Sequence, residues 1–169
     1  IQYDQKLLNK LYFAIKYLIK QLDLLKIDYF AIGGTLLGAI RHQGLIPWDL
    51  DLDVGVFKKE YFEIIKNLKK LNMIDRRYQW VDTKVPGIRI YFEEKAIVDI
   101  FVLDIYTEDN LGMYVYSGPY INGKPIYTAH KMFPKIKCSK EVLLPTKKIK
   151  FEDTLIRVPN DPIKFLELN

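Results

Sequence analysis

Leucines and isoleucines recur at spacings of three and four from Leu8 through Leu11, Ile15, Leu18 and Leu22 to Leu25, with lysines between them. That period lays one apolar stripe along a helix, so an amphipathic N-terminal helix is predicted over 4–26. The stripe lasts about three heptads, and packing against a sheet is its expected use rather than a coiled coil. Residues 29–32 read as a short apolar strand, and 35–42 as a short helix with Gly34 or Thr35 at its start. Over 50–56 the period changes to two. Leu50, Leu52, Val54 and Val56 then share one face of a strand, and Asp49, Asp51 and Asp53 the other. Helical spacing returns over 58–71, with Tyr61, Ile64, Ile65 and Leu68 turned inward. Strands are predicted at 78–82, 88–93 and 96–105. The last is apolar on both faces apart from Asp99 and Asp104, the pattern of a central strand. Asn122-Gly123 signals a hairpin turn. Asp161-Pro162 reads as the N-cap and first residue of a C-terminal helix that the chain cuts short.

Composition adds bounds to this mixed α and β pattern. A chain of 169 residues that is 49% hydrophobic can bury one core, so a single domain over 1–169 is expected, truncated at its C-terminal end. No apolar run is long enough to span a bilayer. The chain starts at Ile1 rather than Met, so an absent leader proves little. The lone Cys138 excludes an intrachain disulfide and favours a reducing compartment. The cytoplasm is therefore expected, with the Golgi lumen as the alternative if an N-terminal anchor has been trimmed. The net charge is +5, and seven lysines against one acid, Glu141, fall between Lys131 and Lys150. Such a run is either a solvated face or a rim for a donor pyrophosphate or an acidic glycan. No nucleic-acid-binding module is recognisable, and nucleic acid is not an expected partner.

The chemistry gathers between Ile32 and Val56. Gly33-Gly34 follows a strand and opens a helix, where backbone N–H groups and the helix dipole attract phosphate. Gly33, Gly34 and Thr35 are the candidate phosphate or nucleotide contacts, and Arg41 lies one helix length further on. About fifteen residues later come Asp49, Asp51 and Asp53. Clustered carboxylates repel one another, and a divalent cation relieves that repulsion. Hard oxygen donors suit Mg²⁺ or Mn²⁺. Asp51 and Asp53, flanked by apolar residues, are the expected metal ligands, with Asp49 as an additional catalytic or supporting acid. The same acids and Glu60 match positions of a calcium-binding EF loop, but Val54 stands where that loop needs glycine, and the flanking pattern is strand-like. Asp99 lies inside an apolar run. It either pairs with a cation such as Arg89 or contributes a catalytic carboxylate, with Asp104 as its competitor. His42 is read as structural, and Trp48 as a core residue with nucleobase stacking as the alternative.

Gly33-Gly34-Thr35-Leu36-Leu37-Gly38-Ala39, Arg41-His42, Gly44-Leu45-Ile46-Pro47-Trp48-Asp49 and Asp51-Leu52-Asp53 resemble the signature of the LicD and fukutin-related proteins. These form a branch of the nucleotidyltransferase-fold superfamily. Val98-Asp99-Ile100-Phe101 with Leu103-Asp104 resembles the family's later acidic strand. Phe151-Glu152-Asp153, Val158-Pro159-Asn160-Asp161-Pro162 and Phe165-Leu166 resemble its C-terminal segment, although the Tyr-Gly pair that usually follows is absent. The resemblance covers roughly residues 28–168. It implies an α/β (α+β) nucleotidyltransferase-like mixed sheet flanked by helices. It also implies transfer of a phospho-alcohol, such as phosphocholine or ribitol phosphate, from a CDP-linked donor to a sugar or glycan hydroxyl, with release of CMP. Two other readings share the same residues: nucleotidyl transfer from an NTP with loss of pyrophosphate, and a catalytically silent glycan-binding domain.

Overall fold

In a computed structural model of the chain, the structure describes residues 5–83, 87–107, 110–128 and 136–168. The elements follow the order α1 (Gln5–Leu24), β1 (Tyr29–Ala31), α2 (Gly33–His42), β2 (Leu52–Phe57), α3 (Lys58–Ile74), β3 (Tyr78–Thr83), β4 (Gly87–Phe92) and β5 (Lys95–Ile105). After these come β6 (Tyr114–Ile121), β7 (Lys124–Thr128), α4 (Lys140–Leu143), β8 (Lys147–Phe151), β9 (Thr154–Val158) and α5 (Pro162–Glu167). Seven strands form one mixed sheet of order β1-β2-β5-β4-β3, extended by β6 on β5 and β7 on β6; β8 and β9 form a separate hairpin. Among the described strands, β2 and β5 run parallel and the other pairs are antiparallel.

The 11-residue β5 is the central strand that its two-sided apolar pattern predicts. It pairs with β2 along one edge, and along the other with β4 and then β6. Strand alternation separates two faces. One carries Leu52, Val54, Val98, Ile100, Ile90 and Trp80, all buried. The apolar stripe of α1 covers it, with Leu11, Ala14, Ile15, Leu18 and Leu22 inward. Tyr17 of α1 stacks on Tyr78 of β3 with ring centroids 4.0 Å apart. α3 lies over the same face, where the Tyr61 hydroxyl donates to Asp82 at 2.8 Å. Asp53, Asp99 and Arg89 lie on the opposite face. There α5 packs against β1 through Phe165 and Phe30, 6.1 Å between centroids.

Several predicted boundaries move by one to three residues, and two of the shifts bear on the candidate site. The helix after the glycines starts at Gly33 rather than at Gly34 or Thr35. The aspartate strand starts at Leu52 rather than at residue 50, because the parallel register with β5 begins at Leu52↔Val98 and nothing pairs the chain before it. Asp49 and Asp51 therefore lie in the connection ahead of β2, and only Asp53 is a strand residue. The Asn122-Gly123 turn is confirmed: both residues have positive φ, 50° and 75°, as a two-residue hairpin turn between β6 and β7 requires. So is the C-terminal cap, where the Asp161 carboxylate accepts from the Lys164 N–H at 3.0 Å. Part of the lysine-rich stretch is ordered as β8, with Ile149 and Phe151 alternating against Lys148 and Lys150. Residues 131–135 of that stretch lie outside the described residues, as does His130.

Candidate active site

Register brings three charged side chains into one row. Asp53 of β2 stands directly opposite Asp99 of β5, and Asp99 stands opposite Arg89 of β4. All three are on the same face, spaced by single inter-strand steps. Arg89 grips Asp99 with two parallel bonds, Nε to Oδ1 and Nη2 to Oδ2, each 2.7 Å. The cation that sequence suggested as an alternative partner for Asp99 is thus present, without removing Asp99 from the acidic row.

The helix α2 meets the row from above. Its first intrahelical bond runs from the Leu36 N–H to the Ile32 carbonyl at 3.0 Å. A helix start leaves the preceding N–H groups, those of Gly33, Gly34 and Thr35, without an intrahelical partner. The N-cap residue, Ile32, offers no side-chain cap. Gly33 has φ +53°, and a Cβ there would lie 3.5 Å from the Asp53 carboxylate. At Gly34 a Cβ would collide with the Asp49 carboxylate. The carboxylate of Asp49 thus lies directly against the helix backbone at this second position, and a side chain there would push it aside.

Thr35 has a structural task. Its side chain is buried, and its hydroxyl accepts the Asp53 N–H at 2.8 Å. That bond ties the start of α2 to the start of β2 and sets the distance between the free N–H groups and the carboxylates. Any phosphate contact by Thr35 is then made by its backbone N–H. Arg41 is exposed in the last turn of α2. It and Gly33 line the same groove between α2 and α5.

The acids are crowded. Burial chiefly, then Asp51, Asp99 and Asp49, push the Asp53 carboxyl up to about 7, with Arg89 opposing. Asp51 is raised to about 6, first by desolvation and then by a hydrogen bond and charge repulsion from Asp49. Asp51 as a whole is exposed, so the crowding is local to its carboxylate. Among the described residues, no three acidic, histidine or cysteine side chains converge into a closed cage for an ion. A Mg²⁺ site does not need one, since that ion is commonly held by one or two carboxylates and completes its shell with water and substrate phosphate. Asp51 and Asp53, mutually repelling hard oxygen donors beside an anion-attracting helix start, fit that description. Asp104 does not join them. It sits on the other face of β5, paired with Lys58 at 2.9 Å.

Sequence reasoning missed what holds the connection before β2. The Tyr12 hydroxyl accepts the Leu45 N–H at 3.0 Å and donates to Glu152 at 3.0 Å. The Glu152 N–H donates to the Gln43 carbonyl. The tip of the β8–β9 hairpin and α1 together therefore clamp the start of the aspartate loop. Gly38 lets that loop cross α2, since a Cβ there would sit 2.5 Å from the Gly44 carbonyl oxygen. The Gly-Leu-Ile and Phe-Glu-Asp motifs are the only linear signal of this clamp.

Comparison with known proteins agrees with this arrangement. The profile of the LicD/FKTN/FKRP nucleotidyltransferase domain matches residues 26–161. The chain is 32% identical over 138 residues to the uncharacterized protein RP689 of Rickettsia prowazekii, covering 81% of this chain and 45% of that protein. It is 29% identical over 158 residues to the human ribitol 5-phosphate transferase FKRP, covering 90% of this chain and 29% of FKRP. Over 36 residues it is 61% identical to the lipopolysaccharide cholinephosphotransferase LicD of Haemophilus influenzae, covering 21% of this chain and 14% of LicD. The chain thus spans less than half the length of these curated relatives. With a matching profile over most of its length and the glycine turn set against the acidic row, the chain belongs to the LicD/FKTN/FKRP family of nucleotidyltransferase domains.

Proposed function

We propose that this domain transfers a phospho-alcohol from a CDP-activated donor to a sugar or glycan hydroxyl and releases CMP. The observation that carries the reading is the in-register Asp53–Asp99 pair set beneath the uncapped N-terminus of α2. Family membership supports the reaction class, since relatives carry ribitol-phosphate and cholinephosphate transferase names.

The N–H groups of Gly33, Gly34 and Thr35 hold the donor pyrophosphate, helped by the positive end of the helix dipole. Arg41 reaches toward the outer phosphate along the α2 groove. Asp51 and Asp53 hold Mg²⁺ or Mn²⁺, which when bound neutralises charge on the pyrophosphate and its leaving nucleotide. Asp49, closed over Gly34, shapes the mouth of the site. Asp99 accepts a hydrogen bond from the acceptor hydroxyl and takes its proton as the oxygen attacks phosphorus. Arg89 fixes the orientation of that carboxylate. Phosphoryl transfer needs positioning and charge stabilisation more than covalent chemistry, and these residues provide both.

The test is to incubate the protein with Mg²⁺ and a panel of CDP-alcohols and NTPs, then identify the nucleotide released. CMP from a CDP-alcohol is the expected result. Pyrophosphate from an NTP would establish nucleotidyl transfer instead, and no turnover with intact binding would leave a glycan-binding domain.

A further inference from the structure

Trp48 is expected in the core from its size and is instead 73% exposed. Its exposure is imposed by a built turn. The Asp49 N–H donates to the Ile46 carbonyl at 2.9 Å, closing a β-turn with Pro47 and Trp48 as its central residues. The turn is rooted by Leu45 and Ile46, which are 6% and 9% exposed. Leu45 is held by the Tyr12 hydroxyl, and the loop's crossing over Gly38 is too close to allow a side chain there. Burying an indole is among the larger apolar gains open to a chain. Here the sequence forgoes it at one place, immediately beside an acid that closes onto the phosphate-binding helix start. The other tryptophan, Trp80, is 2% exposed. Among the described residues, the other aromatics in the exposed large hydrophobic set, Phe13 and Phe62, lie on α1 and α3, which cover the opposite face of the sheet.

We propose that Trp48 is the platform on which the nucleobase of the donor stacks. The inference rests on the phosphate-binding role of Gly33 and Gly34 given above. A nucleotide joins its base to its phosphates through a single ribose. A donor anchored at the α2 N-terminus therefore places its base within reach of a ring one residue beyond Asp49. Stacking on an aromatic face contributes affinity for any base and little discrimination among bases. Trp48 thus sets how tightly a nucleotide is held, and preference for cytosine comes from other contacts.

The experiment follows intrinsic fluorescence of the chain in Mg²⁺ while CMP, CDP, AMP or pyrophosphate is added, with affinities measured in parallel by calorimetry. Trp80 is shielded, so a ligand-dependent change in emission reports Trp48. Each nucleotide is expected to change the emission, and pyrophosphate to bind without doing so. Trp48→Ala is expected to weaken nucleotide binding about five- to hundredfold. Pyrophosphate affinity and melting temperature should stay as in the wild type, and Trp48→Tyr should restore most of the loss. Nucleotide binding of unchanged affinity in Trp48→Ala would overturn the stacking role and leave the phosphate site standing. So would a spectral change produced only by a saccharide acceptor. A wild-type chain that binds pyrophosphate and nucleotides equally would also sink it, and one that binds neither would sink the phosphate site as well.

Discussion

Asp99 and Asp104 stand on one strand, five residues apart, each in an ion pair, yet they belong to different chemistry. Asp99 is odd in the alternation and faces Asp53 across a parallel ladder. Asp104 is even, faces the other way, and sits between Lys58 and the Tyr120 hydroxyl, which reaches it at 3.4 Å. Asp99 has an arginine on one flank and an acid on the other, whereas Asp104 is held by a lysine and a tyrosine hydroxyl. A charge becomes a candidate for catalysis through its neighbours across the sheet, and those are fixed by strand register rather than by the local sequence.

The strongest break in that contrast is mutational. Asp53→Asn and Asp99→Asn are expected to lower CMP release by about a hundredfold or more, the scale of losing one group that stabilises transition-state charge. Asp104→Asn should stay within about threefold of wild type, measured by the same assay. Loss of activity in Asp104→Asn equal to that in Asp99→Asn would end the distinction. A smaller effect is expected at Gly34→Ala, about tenfold in activity, because the added Cβ displaces the Asp49 carboxylate. The backbone there carries no positive-φ strain and alanine favours helix, so its melting temperature should hold or rise. A variant with wild-type turnover would show that Asp49 need not close on the helix.

The next prediction sharpens the comparison through pH. The folded-state value of Asp53, about 7, and that of Asp51, about 6, lie above the ordinary 3.8. The folded chain therefore binds these protons more tightly than the unfolded chain. Their stabilising contribution is complete below about pH 4 and is lost as pH rises through about 7. Without divalent cations, the melting temperature should fall between about pH 4 and 7 and level off above that, and Asp53→Asn should flatten that fall. Asp104→Asn should not. The smallest effect concerns Lys58→Met, which breaks the Asp104 ion pair. Both partners are partly exposed, and a pair that solvent still screens contributes about 0–1 kcal/mol, so denaturant unfolding should register a change of that size.

The sequence made the architecture largely readable where periodicity was long. The stripe of α1, the two-sided apolar run of β5, and the Asn-Gly and Asp-Pro signals each led to an element that the structure contains. The proximity of the glycine turn to Asp53 was legible too, because both lie within one strand–helix–strand connection. Other features could not be read from a linear pattern. Alternation placed three aspartates on one strand face, but a strand begins only where a partner strand is available, and β5 meets β2 at Leu52. The bidentate Arg89 grip on Asp99 depends on antiparallel register between β4 and β5. Lysines obscured the β8–β9 hairpin, since an alternation of Lys148, Ile149, Lys150 and Phe151 resembles a solvated basic run. Trp48 was misplaced because size argues for burial, whereas a short turn with Pro47 and Trp48 at its centre leaves the ring exposed.

The clamp on the aspartate loop bears on when the site comes into being. Tyr12 and Glu152, which together hold the loop at Leu45 and Gln43, are 140 residues apart in the chain. Contacts of such long range form only after much loop-closure entropy has been lost, and they form slowly. During synthesis the glycine turn and all the acids emerge well before Glu152 does. A ribosome-bound chain halted ahead of the β8–β9 hairpin would carry every candidate ligand for phosphate and metal without the frame that aligns them. On the proposed function, turnover is expected only once the β8–β9 hairpin has closed on the aspartate loop.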